Sequence, residues 1–283
     1  MKNQNMKRIM IPSALFCLTA GLCAEDYHAV FTEGQWEPSH FLNVKSPRWD
    51  YRGIMLQGAG HIYNRTPDVS DEELFRKYGS DVFASLMLNR KFTGNATIRS
   101  KMSFDHRMAP LIVIAPELGK GKDGQHEFRE HFEIVLFDEG INIWRHMYKD
   151  GKASWYKAAW LNAKFEPKKV YELEVQLRYT KFGCTMTVRC DGKECGYSEA
   201  NLPRTWYAGI TACEGRNRFY DFQVMQPKLK ARNKFYPRTP EHPASPFFDV
   251  AGEHYGYAAD GRTVQPHCGR IRRQPAEIHS VFC

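Results

Sequence analysis

The sequence lacks a long apolar segment after its first 24 residues. A membrane-spanning helix needs about 18 or more predominantly apolar residues, so no membrane span is expected in the rest of the chain. The sequence also lacks a Cys-x-x-Cys pair, and its cysteine spacings match no zinc-site pattern. Its basic residues form no grouping typical of nucleic-acid-binding proteins. We therefore expect no nucleic-acid partner, and the sequence gives no reason to name a metal ligand or a cofactor.

The first 24 residues have the order of a secretory signal peptide. Lys2, Lys7 and Arg8 form a basic start, residues 9–20 are mostly apolar, and Leu22-Cys23-Ala24 offers a cleavage site. This pattern predicts an exported protein that is periplasmic, at the cell surface or secreted. Retention through a lipid on Cys23 stays open as an alternative.

The last part of the chain differs in composition from the rest. Residues 228–283 hold six of the fifteen prolines and carry nine Lys or Arg against five Asp or Glu. Proline removes donors from strand ladders, so few strands are expected there. We predict a domain over residues 25–227 and a basic C-terminal tail over 228–283, extended or partly disordered.

Six cysteines follow the predicted signal peptide, and an even number in an exported chain permits disulfides. They are Cys184, Cys190, Cys195, Cys213, Cys268 and Cys283. Cys190 and Cys195 flank a short turn and could pair across a hairpin, and Cys184 with Cys213 is the other candidate pair. The sequence leaves the connectivity open.

Residues 92–225 show the period-two alternation of half-buried strands. In the segment 171–179, Tyr171, Leu173 and Val175 belong to one side, while charged and polar residues occupy the other. Similar segments recur every 8 to 15 residues with turns between them. This spacing predicts an all-β, antiparallel β-sandwich.

One short helix is also indicated. Ser70 and Glu73 form a capping box, and Leu74 and later residues give the helix an apolar side that can end at Gly79. The aromatic, glycine-rich stretch 27–66 is expected to hold an early edge strand and loops.

The order of strands from about residue 81 to 225 resembles a concanavalin A-like lectin/glucanase jelly roll. The segments that carry the resemblance are residues 95–104, 111–115, 132–137, 141–146, 170–177, 185–192, 208–212 and 219–224. They are similar to the laminin-G-like and 3-keto-disaccharide-hydrolase-like members found among exported bacterial proteins. The resemblance covers roughly half of the chain and implies a jelly roll with carbohydrate as its ligand class.

The glucanases of that superfamily carry a Glu-x-Asp-x-Glu or Glu-x-Asp-x-x-Glu strand, which sets two carboxylates across the scissile bond. This sequence has no such motif. Glu130 and Glu133 are the nearest pair, but a separation of three places them on opposite faces of a strand. A hydrolase of that kind is therefore not expected.

The best binding candidates share a strand face. Asn142, Trp144, His146 and Tyr148 alternate along residues 141–148. His131 and Glu133 are expected on the same face of the neighbouring strand. Sugars offer C–H faces to aromatic rings and hydroxyls to polar groups, so this set predicts carbohydrate binding. The alternative is that Trp144 and Tyr148 are core aromatics and that His146 is a satisfied core histidine.

Two further functions stay open. Arg99, His131, Arg145, His146 and Tyr148 are residue types that polysaccharide lyases use, so a glycan-active enzyme is one alternative. A structural or adhesive envelope protein, with the basic tail on an anionic surface, is the other. Trp155, Tyr156 and Trp160 could extend a sugar platform or cover an open edge of the sandwich. The oligomeric state is not indicated.

Overall fold

The computed structural model describes residues 26–49, 51–78, 82–106 and 108–227, which form two large packed antiparallel sheets and a small two-stranded one. The front sheet contains, in spatial order, β13 (Lys152–Asn162), β12 (Gly140–Lys149), β11 (His131–Phe137), β8 (Met108–Ala115), β17 (Thr205–Ala212), β5 (Ala84–Leu88) and β2 (Phe41–Asn43), with β6 (Phe92–Thr93) paired to β17. The back sheet contains β16 (Lys193–Glu199), β15 (Gly183–Cys190), β14 (Tyr171–Thr180), β7 (Ala96–Phe104), β18 (Asn217–Phe219), β4 (Ile62–Asn64) and β3 (Met55–Gln57), and β19 (Asp221–Met225) joins β7 to β1 (Tyr27–Val30). The predicted fold class, an antiparallel β-sandwich, is confirmed.

The main core lies between the two sheets and follows the period-two pattern of the sequence. On β14, Leu173, Val175 and Leu177 are buried, and Val175 lies opposite Ile98 of β7. From the front sheet, Ile134 of β11 and its neighbours meet them in the same cluster. Each of these aliphatic side chains contributes roughly 1.5–3 kcal/mol when fully buried.

A second apolar cluster covers part of the front sheet's outer face. Leu111 and Val113 of β8 project there, and both are buried. The cover comes from the segment around Val44 and Trp49 and from a hairpin formed by β9 (Leu118–Lys120) and β10 (His126–Phe128). Coverage on both faces explains why residues 111–115 are continuously apolar. The cluster extends to Trp144 of β12, whereas Trp155 and Trp160 of β13 stay exposed.

The predicted helix is confirmed as α1 (Asp71–Tyr78), the α-helix of the described residues. The backbone N–H of Glu73 donates to Ser70 Oγ at 3.2 Å, as a capping serine should accept. Leu74 is buried and anchors the helix.

The early segment is richer in strands than its sequence indicated. Four short strands, β1 to β4, lie within residues 27–64 where one was expected, and a single 3₁₀ turn spans Pro38–His40. Three of the four contain only three residues. Strands this short leave little alternation to detect, because period two needs about four residues to show.

No disulfide joins any two of the four described cysteines. The hairpin register places Cys190 opposite Lys193, and it places Cys195 opposite Val188. Cys190 and Cys195 share a face but are offset by two residues in the register, and the candidate Cys190–Cys195 bond is not formed. The other candidate pair, Cys184 and Cys213, is not bonded either.

The predicted signal peptide (1–24), the tail (228–283) and its Cys268 and Cys283 lie outside the described residues. Within the described part of the chain, no helix has the length and apolar character needed to cross a bilayer.

Candidate functional site

The predicted site residues come together on the outer face of β11 and β12. In the register of these strands, His131 lies opposite His146, Glu133 opposite Trp144, and Val135 opposite Asn142. Directly opposed residues of an antiparallel pair project to the same side of the sheet. Tyr148 continues the same alternation two residues beyond His146. The geometric expectation that these residues share one face is therefore met.

A β-bulge brings strand β13 into the same face. Trp160 lies opposite Asn142, but the register shifts so that Lys157 lies opposite Trp144 and Trp155 opposite His146. Residues five apart on a regular strand would project to opposite sides, because the side-chain period is two. The extra residue at the bulge, Ala158, restores Trp155 and Trp160 to one face. The sequence indicated these tryptophans but not the bulge that aligns them.

The face divides into an exposed layer and a buried layer. Trp155 and Trp160 are 42% and 58% exposed. His131, Glu133 and His146 are only 3%, 6% and 5% exposed. We call the first layer the aromatic face; it consists of the exposed Trp155, Lys157 and Trp160 and the half-buried Asn142 and Trp144. We call the buried layer the His–Glu–His cluster.

Four aromatic rings form a continuous stack that links the two layers. The centroids of Phe128 and His131 lie 4.5 Å apart, those of His131 and His146 4.3 Å apart, and those of His146 and Trp155 6.1 Å apart. Successive ring planes differ by 26°, 12° and 21°. The exposed Trp155 therefore lies directly over a column of buried rings.

The Glu133 carboxylate is the acceptor at the centre of the cluster. Its Oε1 lies 3.3 Å from His131 Nε2, and its Oε2 lies 3.0 Å from His146 Nε2. Burial acts to raise the pKa of Glu133, but the charge and hydrogen bonds of the two histidines outweigh it and hold the pKa well below its usual value. Burial, together with the nearby His146, lowers the pKa of His131.

The cluster has the composition of a metal-binding site. Two imidazole nitrogens and a carboxylate oxygen lie within 4.8 Å of one another. No metal ligand could be predicted from the sequence, because His131, Glu133 and His146 fit no short motif. His-x-Glu on one strand and a histidine on the next are brought together only by the β11–β12 register.

Cationic groups lie close to the aromatic rings. Lys157 Nζ is 5.9 Å from the ring centroid of Trp144 and 5.4 Å from that of Trp160. The guanidinium carbon of Arg48 is 4.9 Å from the ring of Trp155. That of Arg129 is 4.4 Å from the ring of Tyr148, which is half-buried. Such contacts contribute about 0.5–1 kcal/mol at exposed sites.

The residue set considered for a lyase does not assemble. Arg99 belongs to β7 of the back sheet, where it pairs with Glu174. Arg145 projects from the opposite side of β12 to His146, and its Nη2 donates to Glu130 at 2.6 Å. Glu130 and Glu133, the nearest pair of carboxylates, are thus each engaged by other partners.

Comparisons with known proteins give a likeness of fold. No protein-family model matches the sequence, and no curated protein matches it. Among solved structures, the carbohydrate binding module CBM66 from Bacillus subtilis is 11% identical, with a TM-score of 0.45 over 66% of this chain and 96% of that one. A seed lectin from Lotus tetragonolobus is 8% identical, with a TM-score of 0.46 over 73% of this chain and 100% of that one.

The κ-carrageenase from Pseudoalteromonas carrageenovora is 8% identical, with a TM-score of 0.34 over 50% of this chain and 67% of that one. The predicted resemblance to concanavalin A-like jelly rolls is confirmed as a likeness of strand arrangement. At these identities, the site has to be argued from this chain's own residues.

Proposed function

We propose that this chain is an exported carbohydrate-binding protein that holds a polysaccharide or oligosaccharide on its aromatic face. The observation that carries the proposal is the alignment of Trp144, Trp155 and Trp160 on one side of two neighbouring strands. Tryptophan rings on a rigid sheet can stack against the C–H faces of successive sugar units at little cost in side-chain entropy.

Polar groups lie between these rings. Asn142 supplies an amide beside Trp160, and Lys157 supplies an ammonium between Trp144 and Trp160. Sugar hydroxyls need such donors and acceptors once they leave water. The face thus combines stacking surfaces with hydrogen-bonding groups, which is the composition that recognition of a carbohydrate requires.

The six residues predicted from the sequence take two roles in this proposal. Asn142, Trp144 and Tyr148 are accessible enough to contact a glycan. His131, Glu133 and His146 lie beneath the rings and support them, with Trp155 resting on His146. Export follows from the basic and apolar character of residues 1–24.

Binding without cleavage is favoured over glycoside hydrolysis. A two-carboxylate hydrolase needs its acid groups on either side of an accessible bond, about 5–10 Å apart. Here Glu133 is buried between two histidines, and Glu130 is paired with Arg145.

A glycan array followed by affinity gel electrophoresis tests the proposal. The purified protein should be retained by at least one polysaccharide, and Trp160→Ala should weaken retention by roughly tenfold or more, as for a central aromatic contact. Tyr156→Ala is the matched control, because Tyr156 is 45% exposed on the same strand but lies opposite Arg145, on the other face. Absence of retention on every glycan, or equal losses in the two variants, would contradict the proposal.

A further inference from the structure

The His–Glu–His cluster presents three metal-ligating atoms to one another inside the protein. His131 Nε2 and His146 Nε2 lie 3.3 Å and 3.0 Å from the two oxygens of Glu133. Ligand atoms about 2.1 Å from a zinc ion at angles of 90–110° are about 3.0–3.4 Å apart. The two nitrogen–oxygen separations fall in this range, and the three ligand atoms all lie within 4.8 Å of one another.

The hydrogen bonds of His131 determine which of its ring nitrogens can act as a metal ligand. His131 Nδ1 lies 2.7 Å from the carbonyl oxygen of Arg129, which can only accept, so Nδ1 must carry a hydrogen. Nε2 is therefore the ring nitrogen that faces Glu133 Oε1, at a hydrogen-bond distance of 3.3 Å. A bound metal ion would take the place of the hydrogen between these two atoms, because metal ligands must be deprotonated.

We propose that His131 Nε2, Glu133 and His146 Nε2 bind a divalent transition-metal ion, with Zn²⁺ as the reference metal. Imidazole and carboxylate ligands suit zinc and related ions, whereas calcium and magnesium prefer all-oxygen sites. The bond from His131 Nδ1 to the Arg129 carbonyl fixes the tautomer in which Nε2 is the ligand. This proposal is independent of carbohydrate binding.

Metal binding has a structural consequence that can be measured. The two imidazole planes now lie 12° from parallel and 4.3 Å apart. Their lone pairs lie in the ring planes, so both rings must tilt to point at one ion. Trp155 stacks on His146 and reports that tilt through its fluorescence.

Zinc titration of the chelator-treated full-length protein tests the site. Wild type should bind one more equivalent of Zn²⁺ than His131→Asn or Glu133→Gln, and its melting temperature should rise by several degrees on zinc addition. Loss of one ligand should weaken this binding by more than the roughly 10–100-fold that loss of an outer-shell partner costs. His28→Asn, an exposed histidine of the back sheet, is the matched control and should bind as wild type.

Cobalt keeps the test decisive if the ligand variants fail to fold. Co²⁺ added to the wild-type protein should give visible absorption bands and should quench part of the tryptophan fluorescence. That part of the quenching should be missing in Trp155→Phe. Equal zinc stoichiometry in folded wild type and His131→Asn would overturn the proposal. Equal Co²⁺ quenching of the fluorescence of wild type and Trp155→Phe would also overturn the proposal.

Discussion

Trp155 lies over His146 with ring centroids 6.1 Å apart and planes 21° from parallel, so an exposed indole rests on a buried imidazole. The pair joins the surface proposed to hold carbohydrate to the cluster proposed to hold a metal. Substitution of His146 should therefore affect glycan binding through the position of Trp155, even though His146 is buried.

The bulge at Ala158 is expected to determine glycan binding. Deletion of Ala158 would restore a regular register between β12 and β13. Trp155 and Lys157 would then project from the opposite side of the sheet to Trp160. Retention on glycan gels should then fall to background, while Ala158→Ser, which keeps the bulge, should bind as wild type. If the deletion variant keeps the β-sheet circular dichroism spectrum and still binds, the aligned tryptophans are not the site.

Lys157 is expected to favour acidic over neutral glycans. The Lys157 ammonium lies between Trp144 and Trp160. The acid nearest to it in the strand register is Glu133, which is buried in contact with two histidines. Lys157→Gln should weaken binding of a sulfated or uronate polymer severalfold and leave a neutral polymer unchanged. Measurements at two salt concentrations check the origin of the effect, because screening weakens exposed charge pairs.

The Glu174 carboxylate of the back sheet should make stability depend on pH. Arg99 Nε and Arg189 Nη1 donate to it at 2.6 Å and 2.9 Å. Burial opposes ionisation, but these arginines outweigh it and hold the pKa of Glu174 below its usual value. A depressed folded-state pKa gives stability that is present above the unfolded-state pKa and is lost as pH falls through the folded-state value.

Glu174→Gln should therefore cost about 1 kcal/mol near pH 7, a figure kept small because both arginines are partly exposed. Urea unfolding of the two proteins should give the same free energy once the pH is below the folded-state pKa of Glu174. A difference that is constant from neutral to strongly acidic pH would contradict the assignment.

Two cysteines of β15 should be slow to react in the folded protein. Burial raises the pKa of Cys184 to about 11 and that of Cys190 to about 12, so both are thiols near neutral pH. Peptide-resolved alkylation should label them only after unfolding. Rapid labelling of native protein, or a Cys190–Cys195 disulfide in the isolated protein, would show that this hairpin is arranged differently.

The fold could be predicted further than the site, for physical reasons that particular residues illustrate. Strand β14 is sorted by period two, so Leu173 and Val175 identify their own face. The shared face of His131, Glu133, Trp144 and His146 also followed from alternation and a short turn. The burial of His131, Glu133 and His146 did not follow, because it depends on Trp155 and Phe128 from other strands.

The alignment of Trp155 with Trp160 could not be predicted for a similar reason. A bulge is a change of register between two strands, and the sequence of one strand does not contain it. The metal-ligating set is likewise split over two strands and has no linear signature.

Oxidative footprinting of aromatic side chains, with and without a retained glycan, shows where the glycan binds. Bound glycan should protect Trp144, Trp155 and Trp160 from oxidation. Phe182, which is 80% exposed in the turn between β14 and β15 of the back sheet, should be oxidised equally in both samples. Unchanged oxidation of the three tryptophans in a sample that demonstrably binds, or protection centred on Phe182, would contradict the proposed site.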